Sequence, residues 1–478
     1  MKEWNWLSEE LDRLREQELY RTMTVLDGPQ TTVVESAGRP QRLFSSNNYL
    51  DLANDPEVKS AACEALEQYG VGAGGSRLTT GTGPLHVCLE EELARFKGRE
   101  AALVFNTGYM ANVGILSALM GRGDVIFSDQ LNHASIIDGC RLSGAEVVVY
   151  RHNDMADLEA KLGAYRGRKG LIVSDGVFSM DGDLVPLPQL VELAKRYGVH
   201  TMIDEAHATG VVGATGRGTE EYYHMEGSVD VLMGTLSKAV GSEGGFVCGS
   251  AELIQYLTNK ARSFIFSTAL SPVTMAAGLR GLQKIQEEPQ RVVQLRDNMA
   301  FLCRELGRYG ISVQSDSAIL PIIVGEEKRA MAAMEALKER GYYVSAIRYP
   351  TVARGSARLR VALMSSHTRE ELAGLAQALA CVLGCNTVRR EKHMSQNLFI
   401  TGTGTDVGKT FVSALMVKKL AQSGRRAGYF KAAMSGNRRR ADGSLIPGDG
   451  AWVQQISGIS QPLEEMCPYV YENAWSPH

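Results

Sequence analysis

Between Ala101 and Gly249 the chain carries seven short apolar runs: AALVF (101–105), DVIFS (124–128), AEVVVY (145–150), GLIVS (170–174), HTMID (200–204), VLMGT (231–235) and GGFVCG (244–249). Each is too short for a self-contained helix and nearly continuous in apolar character. A strand covered on both faces reads that way. Segments with helical spacing lie between the runs, LPQLVELAKRY at 187–197 among them. The alternation predicts an α/β fold, layered around a mainly parallel sheet. At 478 residues the chain exceeds what one core supports, so more than one domain is expected.

The segments outside this stretch differ in character. Residues 1–50 read as a helix and arm, with an amphipathic helix over 7–22 whose stripe runs through Leu7, Leu11 and Leu14. The large α/β domain is expected over 51–285. Residues 286–386 predict a smaller α+β domain. Its elements would be a helix over 288–308, strands ISVQ (311–314) and ILPIIVG (319–325), a helix over 327–340, strands YYVSAI (342–347) and LRVALM (359–364), and a helix from 369. A basic polar linker at 387–393 precedes a third domain, with a strand from Asn397.

Composition narrows the function classes. Net charge is -3 with 22% charged residues, which gives no basic face for nucleic acid or an anionic membrane. Residues 1–21 are rich in Glu and Arg and do not read as a secretory signal. No apolar run is long enough to span a bilayer. The eight scattered cysteines read as free thiols in a reducing cytoplasm. Cys381 and Cys385 lack a second ligand pair for zinc.

The strand ends carry the chemistry. HTMIDEAHATG places Asp204 at the end of an apolar run and His207 three residues on. VDVLMGTLSKAVGSEGG repeats the arrangement with Thr235, Ser237 and Lys238. Ligands of α/β sheets collect at such ends. FNTGYMANVG puts Gly108 and Tyr109 between a strand and a helix, where backbone N–H groups can cradle a phosphate. NHAS puts His133 at another such junction, placed to stack on a ring. A lysine for an imine, a carboxylate for a ring nitrogen, a phosphate cradle and a flat cover together suit pyridoxal 5′-phosphate (PLP). Asp204 to His207 also spells DEAH, a helicase signature, but the only phosphate-loop pattern lies about two hundred residues downstream instead of upstream.

These landmarks, with SSNNYL, GAGGSR, GTGPLH, DGVFSMDGD and TLSKAVG, make residues 1 to about 386 resemble the α-oxoamine synthase family of fold-type I PLP enzymes. The resemblance implies a large α/β domain plus a small α+β domain, and a PLP-dependent condensation of an amino acid with an acyl thioester. Lys238, His133, Asp204 and His207 would be catalytic. Lys238 would bind PLP and move a proton, Asp204 would face the ring nitrogen, His207 the 3-oxygen, and His133 the ring face. Ser179 would help at the 3-oxygen. Gly108, Tyr109 and Thr235 would hold phosphate, and Ser267 and Thr268 would reach the partner's phosphate in a homodimer. Asn47 and Arg360 would meet the amino-acid carboxylate, with Arg358 an open alternative. Arg21 and Thr351 would lie near the acyl substrate. The member joining L-alanine to a pimeloyl thioester in biotin synthesis fits best, with pimeloyl-CoA and a pimeloyl carrier protein both open. A glycine C-acetyltransferase and a non-catalytic PLP-fold or nucleotide-binding regulator are the rivals.

TGTGTDVGKT begins the third domain as a phosphate loop one residue longer than the usual spacing. With YFKAAMSG and GDGAWVQQISGI it makes residues 394–478 resemble the N-terminal part of the dethiobiotin synthetases. The resemblance implies that Gly408, Lys409 and Thr410 bind ATP, that Lys431 and Ser435 meet a diamine, and that Thr410 and Asp449 hold Mg²⁺. Eighty-five residues (394–478) are fewer than such a sheet needs, so little or no ligase activity is expected from this segment. A truncated bifunctional chain and a read-through into a neighbouring frame are the two explanations.

Overall fold

The computed structural model describes residues 4–17, 19–385, 398, 400, 408–423, 427–435 and 437–472. The chain divides into two compact units, Met1–Glu391 and Lys392–His478.

The first unit is built on a seven-stranded sheet. Its strands are β1 (Ala101–Phe105), β2 (Val125–Asp129), β3 (Glu146–Tyr150), β4 (Gly170–Asp175), β5 (His200–Asp204), β6 (Val231–Thr235) and β7 (Gly245–Gly249). Their spatial order is β1-β7-β6-β5-β4-β2-β3. All neighbours are parallel except the two pairs made by β7. Every residue of β2, β4, β6 and β7 is buried. That explains their unbroken apolar pattern: helices cover both faces. The edge strand β3 leaves Val147 and Val149 exposed.

Two helices matter most for the site. Helix α1 (Gly108–Leu119) follows β1, and Thr107 caps it by accepting from the Met110 N–H. Helix α2 (Ala134–Ser143) follows β2 with His133 as its cap residue. Both N-termini therefore open at the carboxyl ends of the parallel strands.

The smaller sheet runs β8 (Ile319–Gly325), β10 (Ala357–Ala362), β9 (Ser345–Ile347), all antiparallel. Pro321 lies in β8, an edge strand, where its missing N–H is tolerated. Two expectations fail. The N-terminal helix spans Asn5–Glu16, so it stops well before residue 22, and it buries nothing; Leu7 and Leu11 stay exposed. ISVQ (311–314) forms no strand. The hydroxyls of Ser315 and Ser317 donate to nearby carbonyls there, including that of Gly182.

The second unit packs helix α3 (Lys409–Gln422) against helix α4 (Gly448–Ser457) over a small core of Ala414, Val417, Val453 and Met466. The strand expected from Asn397 lies outside the described residues, apart from Leu398 and Ile400. No helix among the described residues is long and apolar enough to cross a membrane.

Candidate active site

A cavity of about 200 Å³ opens at the carboxyl ends of β1, β2, β4, β5 and β6. One wall is the start of α1. A Cβ on Gly108 would come within 3.2 Å of Met233 Cε. A Cβ on Gly245 would sit 2.5 Å from the Thr107 carbonyl oxygen and 2.7 Å from Gly108 Cα. Glycine at both positions lets β6 and β7 close up on this helix start, whose free N–H groups suit an anion. Thr235 completes the wall, its hydroxyl donating to the Gly244 carbonyl at 2.7 Å and lying 2.8 Å from Ser237 Oγ. Tyr109 also lines the cavity, with its hydroxyl donating to Asp138 at 2.5 Å.

The opposite wall is charged. Asp204 ends β5 and is buried. Its carboxylate accepts from Asn112 Nδ2 at 2.7 Å and from the Ala206 N–H at 2.9 Å, and makes no ion pair among the described residues. Asp175 pairs with Asp204 in register across β4 and β5. It accepts from the His133 N–H at 2.8 Å. Burial, with Asp204 next to it, holds the Asp175 carboxyl well above the usual range. Lys238 is half-buried in the same cavity. Burial pulls its amine below the usual lysine pKa; Asp204 and Asp175 pull it back up, and Arg360 pushes it further down.

Two imidazoles complete the set. His133 stands exposed at the mouth, with Nδ1 2.7 Å from Ser135 Oγ. Desolvation of its inner edge lowers its pKa, opposed by Asp204 and reinforced by Lys238. His207 is buried, and its Nδ1 lies 2.7 Å from the Tyr49 hydroxyl. Burial first, then Lys238 and Arg360, holds it well below the usual histidine range, so the ring is neutral. A neutral imidazole, a lysine with a depressed pKa and a buried carboxylate without a cation fit a ring cofactor carrying an aldehyde, a basic nitrogen and a phosphate.

The remaining candidates divide. Arg360 reaches Asn47 Oδ1 at 3.2 Å and donates to the Ser179 carbonyl at 2.6 Å. Arg358, on the same face of β10, instead pairs with Asp181 at 2.5 Å and donates to the Met180 carbonyl at 3.1 Å. Ser179 contributes its carbonyl to Arg360 and does not line the cavity. Ser267 and Thr268 do not line it either; Ser267 donates to the Ser263 carbonyl. Arg21 and Thr351 meet in a second cleft of about 420 Å³ that shares no lining residue with the first.

Residues 39–379 match the family described as aminotransferase class I and II. The chain belongs to that family. Within it, the 8-amino-7-oxononanoate synthase of Geobacter sulfurreducens is 51% identical over 375 residues, covering 78% of this chain and 96% of that one. The enzyme of the same name from Lysinibacillus sphaericus is 50% identical over 366 residues, covering 76% and 94%. Among solved structures, the 8-amino-7-oxononanoate synthase of Francisella tularensis superposes with a TM-score of 0.63 at 29% identity, over 72% of this chain and 97% of that one. Serine palmitoyltransferase from Sphingomonas wittichii gives 0.75 at 34%, over 79% and 96%. This member of the aminotransferase class I and II family is therefore a fold-type I transferase. Its C-terminal residues 396–478 match a family described as an AAA domain.

Sequence reasoning missed Asn112, Ser135 and Asp175, which line the cavity, and Tyr49, which meets His207. Tyr49 reads as core, Asn112 as a helix interior residue, Ser135 as a helix start, and Asp175 lies one residue past its apolar run. Its place at the end of an apolar run, the same as that of Asp204, is the signal that could have placed Asp175.

In the second unit, Gly408 precedes α3 with φ of 80°, and Lys409 and Thr410 open the helix. Lys431 and Asp449 form an ion pair with each other. Ser435 lies just after the short strand Ala433–Met434. No group of three His, Cys, Asp or Glu suited to a metal occurs among the described residues.

Proposed function

We propose that residues 1 to about 386 bind PLP at Lys238 and condense L-alanine with a pimeloyl thioester, releasing CO₂ and the free thiol carrier and forming 8-amino-7-oxononanoate. The observation that carries this reading is the shared cavity. It gathers Gly108, Tyr109, His133, Asp204, His207, Thr235 and Lys238 from separate strand ends. The names of the relatives supply the reaction.

PLP, when bound, supplies an electron sink for the amino-acid carbon that loses a proton. Everything else falls to the chain. Asp204, buried and without a cation, would hold the ring nitrogen protonated. The N-terminus of α1 and Thr235 would hold the phosphate, His207 would serve the 3-oxygen, and His133 would cover the ring at the mouth. Lys238, with its lowered pKa, supplies a neutral amine that takes the proton at Cα. Arg360 and Asn47 orient the substrate carboxylate, and the cleft holding Arg21 and Thr351 receives the acyl thioester. A homodimer belongs to the same reading, with Ser267 and Thr268 turned to the partner's phosphate.

For the second unit the reading is a dethiobiotin synthetase-like segment, supported by the phosphate-loop pattern and the helix that Lys409 and Thr410 open. There Lys431 and Ser435 would face a diamine, and Thr410 and Asp449 would face Mg²⁺.

The test is product analysis. The protein, loaded with PLP, is offered L-alanine or glycine with acyl thioesters of several lengths, and the product is identified by mass. Formation of 8-amino-7-oxononanoate from alanine is expected. Turnover of glycine with acetyl-CoA alone would overturn the substrate assignment. Absence of a borohydride-fixed cofactor on Lys238 would overturn the cofactor site.

A further inference from the structure

His152 lies outside the cavity, in the loop after β3, and both of its ring nitrogens meet carboxylates. Its Nδ1 is 3.0 Å from Asp129 Oδ1 and its Nε2 is 2.9 Å from Asp183 Oδ2. Carboxylates only accept, so both ring nitrogens carry protons and the ring is an imidazolium. Burial alone would lower its pKa, but Asp129 and Asp183 raise it to about 10. The ring also stands edge-on to Phe178, with centroids 4.4 Å apart.

Asp183 belongs to the turn that joins Val177 to Leu184. Its neighbour in the clamp is Asn153, whose Nδ2 donates to Asp183 at 3.0 Å and to the Leu184 carbonyl at 3.1 Å. The base of the turn is thus fastened to the large sheet. In the same turn the Ser179 carbonyl accepts from Arg360 and the Met180 carbonyl from Arg358. The turn holds the guanidinium that also reaches Asn47.

We propose that His152 is a positioning residue, which through Asp183 and the Ser179 carbonyl sets Arg360 for the carboxylate of the amino-acid substrate. This rests on the reading of Arg360 given above. Neither His152 nor Asp183 lines the cofactor cavity, so the role is separable from cofactor binding.

The experiment uses the PLP-loaded full chain and compares wild type, His152→Gln, Asp183→Asn, Arg360→Ala and the double variant His152→Gln/Arg360→Ala. KM and kcat for L-alanine are measured, with cofactor absorbance and cofactor dissociation constant as a second readout. For His152→Gln and Asp183→Asn, KM for alanine should rise about tenfold, the size of a weakened charge-assisted contact, with kcat and cofactor binding within twofold. In the Arg360→Ala background, His152→Gln should add nothing, because the contact it serves is gone. Multiplying penalties in the double variant, or loss of kcat or of cofactor with KM unchanged, would overturn the proposal. Asp183 is a third exposed, so Asp183→Asn carries the test if His152→Gln fails to fold. A wild-type protein that does not turn over alanine would instead sink the substrate reading, which these variants do not address.

Discussion

Arg360 and Arg358 are two residues apart on one face of β10, and replacing each alone separates their roles. Arg360→Ala removes a guanidinium whose charge acts on Lys238 and His207 and which bonds Asn47. Hydrogen bonds to a charged group contribute about 1.5–3 kcal/mol. At about 1.4 kcal/mol per tenfold, KM for L-alanine should rise by roughly 10- to 150-fold. The Ser179 carbonyl loses its donor as well, so Tm should also fall. Arg358→Met removes the bond to Asp181, a carboxylate whose side chain is 33% exposed. Water can take over at Asp181, but the Arg358 side chain is only 8% exposed, so the loss of about 1.5–3 kcal/mol for a bond to a charged group falls on Tm and not on KM for alanine. The assay is steady-state kinetics in alanine at saturating thioester, with an alanine titration of cofactor absorbance as a check on binding. A large rise in KM for Arg358→Met, with Arg360→Ala near wild type, would refute the assignment.

Other perturbations test the rest of the site. Lys238→Ala should abolish turnover and the borohydride-fixed cofactor while the fold persists by circular dichroism; residual adduct at another lysine would move the centre. Gly245→Ala pushes a methyl to 2.5 Å from the Thr107 carbonyl oxygen. Overpacking of about 1–3 kcal/mol should weaken cofactor binding roughly 5- to 150-fold in an absorbance titration, and an unchanged affinity would mean the cradle is elsewhere. His152, raised to about 10 in the folded chain, contributes stability that is complete below its unfolded pKa near 6.5 and lost as pH rises through about 10. Tm of wild type should therefore drop between pH 7 and 10 by more than Tm of His152→Gln; parallel curves would contradict the two-carboxylate clamp.

Much of the fold was legible because its strands are buried on both faces. AALVF, HTMID and VLMGT begin and end in the structure where their apolar runs do. The N-terminal helix misled because a stripe needs something to cover it, and Leu7 and Leu11 have 42% and 41% of their surface exposed. Lys238, Asp204, His207 and His133 could be found because each lies at the end of a strand or within four residues after it. Tyr49 could not: a buried aromatic in a loop reads as core until its hydroxyl is seen 2.7 Å from His207. Nor could period-two spacing choose between Arg358 and Arg360. The choice is made by backbone carbonyls of a turn far earlier in the chain, those of Ser179 and Met180, which no local pattern encodes.

Three neighbouring strands end in buried aspartates, Asp129 on β2, Asp175 on β4 and Asp204 on β5. Uncompensated charges so close together would be costly, since each desolvated carboxylate needs a partner or a proton. The structure treats them differently. Asp129 has the His152 imidazolium and the N–H groups of Leu131 and Asn153. Asp175 has the His133 N–H and is pushed toward its protonated form. Asp204 has two neutral donors, Asn112 and the Ala206 N–H, and faces the cavity. Of the three it alone keeps a demand for positive charge that the described residues leave to a ligand. A cofactor with a basic ring nitrogen answers that demand, and an Asp204→Asn protein should bind such a cofactor less tightly yet hold its fold, because its remaining partners are neutral.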